Sequence, residues 1–252
     1  MTGLTSLQVP EGYDLRAFDV LDSTNAECHR LAAEGARGNI WVAAAAQSAG
    51  RGRRGRAWQS PRGNLFASLL YAIDCDLATA SQLSFVSALA VRDTVADIMQ
   101  SGTRVSCKWP NDILVEDRKI SGILLESTGE GGARPGHVII GIGVNVNSHP
   151  AGTPFPATSL KAELCREIET AAVMQGLAQS MAHWVTCWRD HGFPLIRRAW
   201  KETARGLGDE IIVRLPKEDL RGRFVDLDDR GALILEFDGE RRHITAGDVF
   251  FV

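Results

Sequence analysis

Residues 50–56 read Gly-Arg-Gly-Arg-Arg-Gly-Arg, which places four arginines among three glycines. Glycine lets a backbone turn tightly, and each guanidinium offers forked donors to a phosphate or a carboxylate. Trp58 follows and offers a flat surface on which a purine could stack. The spacing matches neither a Walker nor a Rossmann motif. It favours a nucleotide-phosphate loop that becomes ordered when the anion arrives, with a solvated basic loop or an RNA-binding segment as alternatives.

A second cationic motif lies at residues 108–112, which read Lys-Trp-Pro-Asn-Asp. Lys108 ends a run that we expect to be a buried strand, and a buried lysine is costly unless it is paired, for example with Asp112 or Glu126. Against an anion about 4 Å away, its ammonium would contribute on the order of 4 kcal/mol before desolvation. Such a charge suits a reaction that develops negative oxygen. Asp112 could instead hold Mg²⁺, and Lys119 could be a further site cation or a solvated turn flank.

Two further segments could approach a ligand closely. Residues 141–147 alternate glycine with β-branched residues and end in asparagine, and glycine inside a strand often marks close approach by a ligand. Asn145 could bind an adenine edge or a ribose, or could cap a turn. Ser23, Thr24 and Asn25 open a predicted helix, where they would either cap it or receive a polar head group.

The bulk composition narrows the class of protein. The chain has 252 residues, 44% of them hydrophobic, and a net charge of −3, as expected of a folded globular protein without nucleic acid as a bulk partner. We find no apolar run of membrane-spanning length and no signal peptide, so we expect a cytoplasmic location. Five widely spaced cysteines indicate reduced, mostly buried thiols, and the histidines form no transition-metal motif.

Hydrophobic periodicity predicts the elements that must position these residues. Thr24 and Glu27 suggest a capping box at the start of the first helix. The predicted strands are 13–20, 40–46, 65–71, a run ending near Cys107, 113–115, 120–125 and 137–146, and the predicted helices are 24–34, 78–99, 161–188 and 194–203. Short strands at 210–215, 222–227, 232–237 and 242–245 then predict a small β-barrel that packs on an α+β domain.

Taken together, five motifs resemble the biotin protein ligase family. They are Asp-Ser-Thr-Asn at 22–25, the Gly/Arg loop within 47–58, the lysine motif at 108–112, Arg-Lys-Ile-Ser-Gly-Ile-Leu at 118–124 and Gly-Ile-Gly-Val-Asn at 141–145. The resemblance spans nearly the whole chain. It implies an α+β catalytic domain over 1–204, similar to class II aminoacyl-tRNA synthetases with a mixed central sheet flanked by helices, and an SH3-like barrel over 205–252. It also implies a ligase that joins biotin to a carrier-protein lysine through biotinyl-AMP.

The resemblance further assigns site residues. It implies catalytic roles for Lys108 and Arg53, and no metal-ligating residue, although Mg²⁺ accompanies the substrates ATP and biotin. The implied biotin-binding residues are Ser23, Thr24, Asn25, Gln47, Gly50, Arg51, Gly52, Arg53, Lys108, Gly122, Gly141 and Gly143. The implied ATP- or AMP-binding residues are Arg53, Arg54, Trp58, Asn111, Lys119 and Asn145.

The implied partner is the apo form of a biotin carboxyl carrier protein, from acetyl-CoA carboxylase or another biotin-dependent carboxylase. Only about 13 residues precede the first strand, which is too few for the DNA-binding winged helix of some family members. We therefore expect the monofunctional class with no DNA partner, as a monomer or a homodimer. A lipoate or octanoate ligase or transferase of the same fold is the alternative enzyme, although such proteins usually lack the Gly/Arg loop.

Overall fold

A seven-stranded sheet forms the centre of the larger part of the molecule. The computed structural model describes residues 7–99, 102–128 and 136–252. The strands are β1 (Tyr13–Leu21), β2 (Asn39–Gln47), β3 (Leu65–Ala72), β4 (Val105–Lys108), β5 (Asp112–Val115), β6 (Arg118–Ser127) and β7 (His137–Val144). Their order is β1-β2-β3-β7-β6-β5-β4, with β1 parallel to β2 and all other neighbours antiparallel. The seven predicted strands are confirmed, with ends that differ by a residue or two.

The helices differ more from the prediction. They are α1 (Thr24–Ala33), α2 (Leu77–Ala80), α3 (Leu83–Ile98), α4 (Leu160–Leu164), α5 (Thr170–His191) and α6 (Phe193–Glu202). The single helix predicted over 78–99 is wrong, because the chain turns between α2 and α3, where the Ser81 hydroxyl donates to the Ala78 carbonyl. The helix predicted over 161–188 is also wrong, since Cys165 is left-handed and the Asn147 side chain binds both backbone groups of Ile168. No helix in the described ranges is long and apolar enough to span a membrane.

Alternation along the central strands divides the sheet into two different faces. Residues such as Trp41, Leu69 and Ile140 point into the main core with α3 and α5, where each large apolar side chain contributes about 1.5–3 kcal/mol. Their neighbours point the other way, where α1 covers only a small core that includes Leu70 and Ile139. The rest of that second face is therefore left open for a cleft.

The start of α1 is not built as predicted. Ser23 is the N-cap residue, but its side chain makes no capping hydrogen bond. Glu27 pairs with Arg30 at 2.7 Å, and the Thr24 hydroxyl lies 3.1 Å from Gln47 Oε1. The predicted capping box is therefore wrong, because Thr24 turns toward the sheet instead of toward its own helix.

The five cysteines, all within the described part of the chain, form no disulfide bonds, but they are not mostly buried. Cys28 and Cys107 are buried, and burial raises the pKa of both thiols to about 12. Cys75 and Cys187 are half-buried and Cys165 is exposed, so the prediction is wrong for these three.

The C-terminal residues form a separate antiparallel sheet of five strands. They are β8 (Glu210–Arg214), β9 (Asp219–Leu227), β10 (Leu233–Phe237), β11 (Glu240–Ile244) and β12 (Asp248–Phe251), in the order β11-β10-β9-β8-β12. The four predicted strands are confirmed, but β12 was not predicted. Its three consecutive apolar residues show no polar–apolar alternation, which is why the period-2 pattern does not reveal it.

The C-terminal sheet packs on the larger part of the chain, as expected. Trp109 Nε1 donates to the Gly231 carbonyl at 3.1 Å, and Lys201 on α6 pairs with Asp226 on β9 at 2.7 Å. Gly231 also lies directly against the Phe85 ring of α3. Because Trp109 follows Lys108 in the chain, this packing reaches the predicted site.

We expect Gly231→Ala to lower the free energy of unfolding by about 2–3 kcal/mol, measured by urea titration. The residue has a φ of +84°, and an added Cβ would overlap the Phe85 ring. Gly239→Ala is the matched control, because its φ is +79° but its Cβ would meet open space, so it should cost only about 1 kcal/mol. Equal losses in the two variants would contradict a role for the Phe85 contact.

Candidate active site

A cleft of about 340 Å³ lies on the α1 side of the sheet. Residues from the loop at 150–157 and from β12 complete its wall. The predicted site residues that line it are Ser23, Thr24, Asn25, Gln47, Arg51, Gly52, Arg53, Trp58, Lys108, Asn111, Lys119, Gly122, Gly141, Gly143 and Asn145. Gly50 and Arg54 do not line the cleft, so the structure brings together most of the predicted set but not these two.

Three charges meet at one end of the cleft. Lys108 and Asp112 are cross-strand partners on β4 and β5, and Lys108 Nζ lies 3.8 Å from Asp112 Oδ2. Lys119 Nζ lies 2.5 Å from the other oxygen of the same carboxylate. Asp112 and not Glu126 is thus the partner of Lys108, and Lys119 is not a solvated turn flank.

Aromatic rings surround the ammonium of Lys108, a residue that is only 5% exposed. Its Nζ lies 3.6 Å from the ring centroid of Phe155, in the loop at 150–157, and 5.7 Å and 5.8 Å from those of Phe250 and Phe251 on β12. Such faces attract a cation but solvate it less well than water does. Burial lowers the pKa of Lys108 to about 8, while the nearby Asp112 carboxylate opposes this shift.

The Gly/Arg loop is held by a carboxylate from the C-terminal sheet. Arg54 and Arg56 lie 3.2 Å and 3.0 Å from the two oxygens of Asp248, the first residue of β12. Arg53 turns inward to the Asn111 amide oxygen at 3.1 Å, and burial lowers the pKa of its guanidinium. We expected an incoming anion to order this loop. The protein itself already supplies a carboxylate to the loop, that of Asp248.

The strand glycines accommodate side chains of the protein itself. The Trp58 indole lies across Gly143 and Gly122, where an added Cβ would come within 2.5 Å and 3.0 Å of its ring atoms. Gly141 is covered in the same way by the Asn25 side chain. Trp58 Nε1 is buried and has no hydrogen-bond partner within the described part of the chain, so an unsatisfied donor faces this region.

Hydrogen bonds tie the start of α1 to the Gly/Arg loop. Gln47 Oε1 accepts from the Thr24 backbone N–H at 2.8 Å, and Gln47 Nε2 donates to the Ser60 hydroxyl at 2.9 Å. Ser60 in turn donates to the Trp58 carbonyl at 2.9 Å. At the other end of the cleft, Asn145 donates to the Thr158 carbonyl at 3.0 Å, which fixes its amide.

Sequence reasoning missed three residues that shape this site, Phe155, Asp248 and Ser68, and it considered Glu126 only as a partner of Lys108. Ser68 is the one polar residue in the apolar run 65–72, and Glu126 is the carboxylate that follows an apolar run on β6. Both patterns could have marked them as candidates. No local signal links Asp248 to arginines that lie almost 200 positions earlier.

Comparisons with known proteins agree on one family. The model described as "Biotin/lipoate A/B protein ligase family" matches residues 17–145, and the model described as "Biotin protein ligase C terminal domain" matches residues 206–252. The chain is 41% identical to a biotin–[acetyl-CoA-carboxylase] ligase of Paracoccus denitrificans, over 91% of this chain and 97% of that protein.

Two further matches support the same family. The chain is 35% identical to the bifunctional ligase/repressor BirA of Bacillus subtilis, over 94% of this chain and 74% of that protein. Among solved structures, biotin protein ligase from Aquifex aeolicus in complex with biotin and ATP superposes with a TM-score of 0.79 at 25% identity, covering 94% of this chain and 97% of that one.

We expect Lys108→Met to raise the free energy of unfolding at pH 7. The folded pKa of about 8 lies below the ordinary value of 10.5, so the charged ammonium destabilises the fold by roughly 3 kcal/mol below pH 8. This cost disappears as pH rises from 8 to above 10.5, where the unfolded chain also loses the proton. The gain should therefore be large at pH 7 and smaller at pH 10 in urea titrations.

The exposed Lys161, which pairs with Glu167 on the surface, provides the matched control. Lys161→Met should give no gain at either pH. If Lys108→Met changes the free energy of unfolding by the same amount at pH 7 and at pH 10, the burial of this charge is not unfavourable and the prediction is wrong.

Proposed function

Because the chain belongs to the biotin/lipoate A/B protein ligase family, we propose that it activates biotin with ATP to biotinyl-5′-AMP and transfers the biotin to a lysine of a biotin carboxyl carrier protein. The named function of the Paracoccus relative and the two ligands of the Aquifex structure support this activity. One observation carries the proposal: Lys108, Arg53 and Lys119 converge on a single cleft beside a flat indole.

This convergence suits the joining of two anions. An oxygen of the biotin carboxylate attacks the α-phosphorus of ATP, the bond to the pyrophosphate oxygen breaks, and pyrophosphate leaves. Lys108 and Arg53 would offset the repulsion between the two groups, and each is desolvated enough for its charge to act strongly. The carrier lysine amine then attacks the acyl carbonyl and AMP leaves, so the protein needs no nucleophile of its own.

We assign the two substrates to opposite ends of the cleft. The ureido end of biotin would lie at Ser23, Thr24 and Asn25 with Gln47, where backbone and side-chain donors and acceptors face the cleft. Arg51 and Gly52 would hold the carboxyl end.

At the other end of the cleft, Trp58 would stack on adenine beside Asn145, and Lys119 would face the phosphates. Gly122, Gly141 and Gly143 would allow close approach of the ligand around the side chains that already lie on them.

We propose that a cluster of protein side chains does not hold the magnesium ion. The described residues contain no group of three or more His, Cys, Asp or Glu side chains that could hold a metal. Asp112, which could have bound Mg²⁺, lies between the two lysine ammonium groups. Mg²⁺ is bound mainly through the phosphates in many nucleotide enzymes, so we propose that it enters as part of the ATP complex.

Several finer features are part of the same proposal. The largely antiparallel sheet supports a catalytic domain of the class II synthetase type over residues 1–204, and the five-stranded sheet supports an SH3-like barrel over 205–252. The partner would be the apo carrier domain of acetyl-CoA carboxylase or another biotin-dependent carboxylase, with the protein acting in the cytoplasm as a monomer or homodimer.

The arginine contacts argue against the RNA-binding alternative. Arg54 and Arg56 face Asp248, Arg51 lies 3.6 Å from Glu126, and Arg53 points into the cleft. The loop therefore does not present four unpaired guanidinium groups to a polyanion. Among the described residues that line the cleft, no side chain favours lipoate over biotin.

Incubation with ATP, Mg²⁺, biotin and an apo biotin carrier domain should raise the intact mass of the carrier by one biotinyl group. Omission of ATP is the control and should leave the mass unchanged. Lipoate in place of biotin should give no product. A carrier whose mass stays unchanged in the complete reaction would refute the proposed function.

We expect Lys108→Ala to weaken biotin binding at least tenfold in isothermal titration while the protein remains folded. A hydrogen bond to a charged group is worth about 1.5–3 kcal/mol, and Lys108 would supply one to the biotin carboxylate. Lys161→Ala, which removes an exposed lysine that does not line the cleft, should leave the affinity unchanged. Wild-type biotin affinity in Lys108→Ala would exclude the assigned role.

A further inference from the structure

A carboxylate behind the cleft holds the amide of Asn25. Glu126 Oε2 accepts a hydrogen bond from Asn25 Nδ2 at 2.6 Å. Glu126 lies near the end of β6, on the same face as Gly122 and Leu124, which both line the cleft. Glu126 is not itself one of the described lining residues, so any effect it has on a ligand must pass through a neighbour.

A buried hydroxyl meets the other end of the same amide. Ser68 is fully buried on β3, and its Oγ lies 2.6 Å from Asn25 Oδ1 and 2.7 Å from Thr24 Oγ1. Ser68 is also the cross-strand neighbour of Gly141, whose missing side chain leaves the space that Asn25 fills. A hydroxyl in this apolar strand is therefore explained by the two polar side chains of α1 above it.

These contacts fix which way the amide points. An ionised carboxylate can only accept, so the –NH₂ group of Asn25 must face Glu126 and its oxygen must face Ser68. Glu126 accepts only one of the two N–H groups, and Asn25 lines the cleft, so we infer that the second N–H can reach a ligand there. Without Glu126 the amide could rotate by half a turn and present its oxygen instead.

We propose that Glu126 and Ser68 are positioning residues that hold Asn25 as a hydrogen-bond donor to a urea-type carbonyl oxygen at the polar end of the substrate. This inference rests on the proposed function, in which that end of biotin lies at Asn25. Glu126 also lies 3.6 Å from Arg51 and 3.7 Å from His29, so its contribution through Asn25 must be separated from its charge contacts.

Steady-state kinetics with saturating carrier domain tests the proposal. Glu126→Ala and Ser68→Ala should each raise KM for biotin about tenfold, with KM for ATP and kcat within twofold of wild type. In the Asn25→Ala background, either substitution should raise KM for biotin less than twofold further, because its effect passes through Asn25. If KM for biotin in the double variant rises by the product of the two single-variant increases, the proposal is overturned.

Two variants separate orientation from charge and packing. Glu126→Gln keeps an oxygen that can accept from Asn25 but loses the charge that faces Arg51, and its KM for biotin should stay within threefold of wild type. His29→Ala removes another neighbour of the same carboxylate and should leave KM for biotin unchanged. A tenfold rise in either variant would assign the effect to charge and not to the amide.

The outcomes also distinguish this inference from the proposed function. If the wild-type protein transfers no biotin, the proposed function fails before any variant is compared. If the wild-type protein is active and Glu126→Ala has an unchanged KM for biotin, the positioning role alone is refuted. If Glu126→Ala fails to fold, the double-mutant cycle of Ser68→Ala and Asn25→Ala tests whether the effect on KM for biotin passes through Asn25.

Discussion

The burial of one ammonium group is the constraint on which the rest of the site depends. Lys108 ends a strand inside the protein, and its charge is compensated by Asp112 and by the faces of three phenyl rings. This environment destabilises the fold at neutral pH because it solvates the charge less well than water does. Under the proposed function, the same weak solvation would make the ammonium effective against an incoming anion, so stability and activity would place opposite demands on this residue.

The environment of Lys108 is assembled from parts of the chain that are far apart. The hairpin of β4 and β5 supplies Asp112, the loop after β7 supplies Phe155, and the last strand supplies Phe250 and Phe251. The last strand also supplies the carboxylate that holds two arginines of the Gly/Arg loop. The C-terminal sheet is therefore part of the site and not a module that is merely attached to it.

At the opposite end of the cleft, hydrogen bonds are the main interactions. There the charges are fewer, and a chain of short hydrogen bonds links β6, α1, β3 and β2 through Glu126, Asn25, Ser68, Thr24 and Gln47. Such a network specifies the direction of each donor and acceptor, because a buried polar group without a partner is costly. One end of the cleft thus provides charge, and the other provides orientation.

The sequence by itself predicted every strand except β12 and marked the candidate site residues. Short, nearly continuous apolar runs defined β2, β3 and β7, and the unusual types and spacing of the Gly/Arg loop and the lysine motif marked residues that line one cleft. These signals are local, since they depend on side-chain period and on residues within a few positions of each other. The helix breaks after Ala80 and Leu164 were not predicted, because side-chain bonds to the backbone override periodicity there.

Only the tertiary structure decided how these residues are paired. The partners Asp248 for the arginines, Phe155 for Lys108, and Glu126 for Asn25 lie between about 50 and 190 positions away in the chain. No local pattern encodes such a contact, because it exists only once the sheet has brought separate strands together. The chemistry of the site can therefore be proposed from residue types, but the charge, burial and orientation of each group follow from the fold.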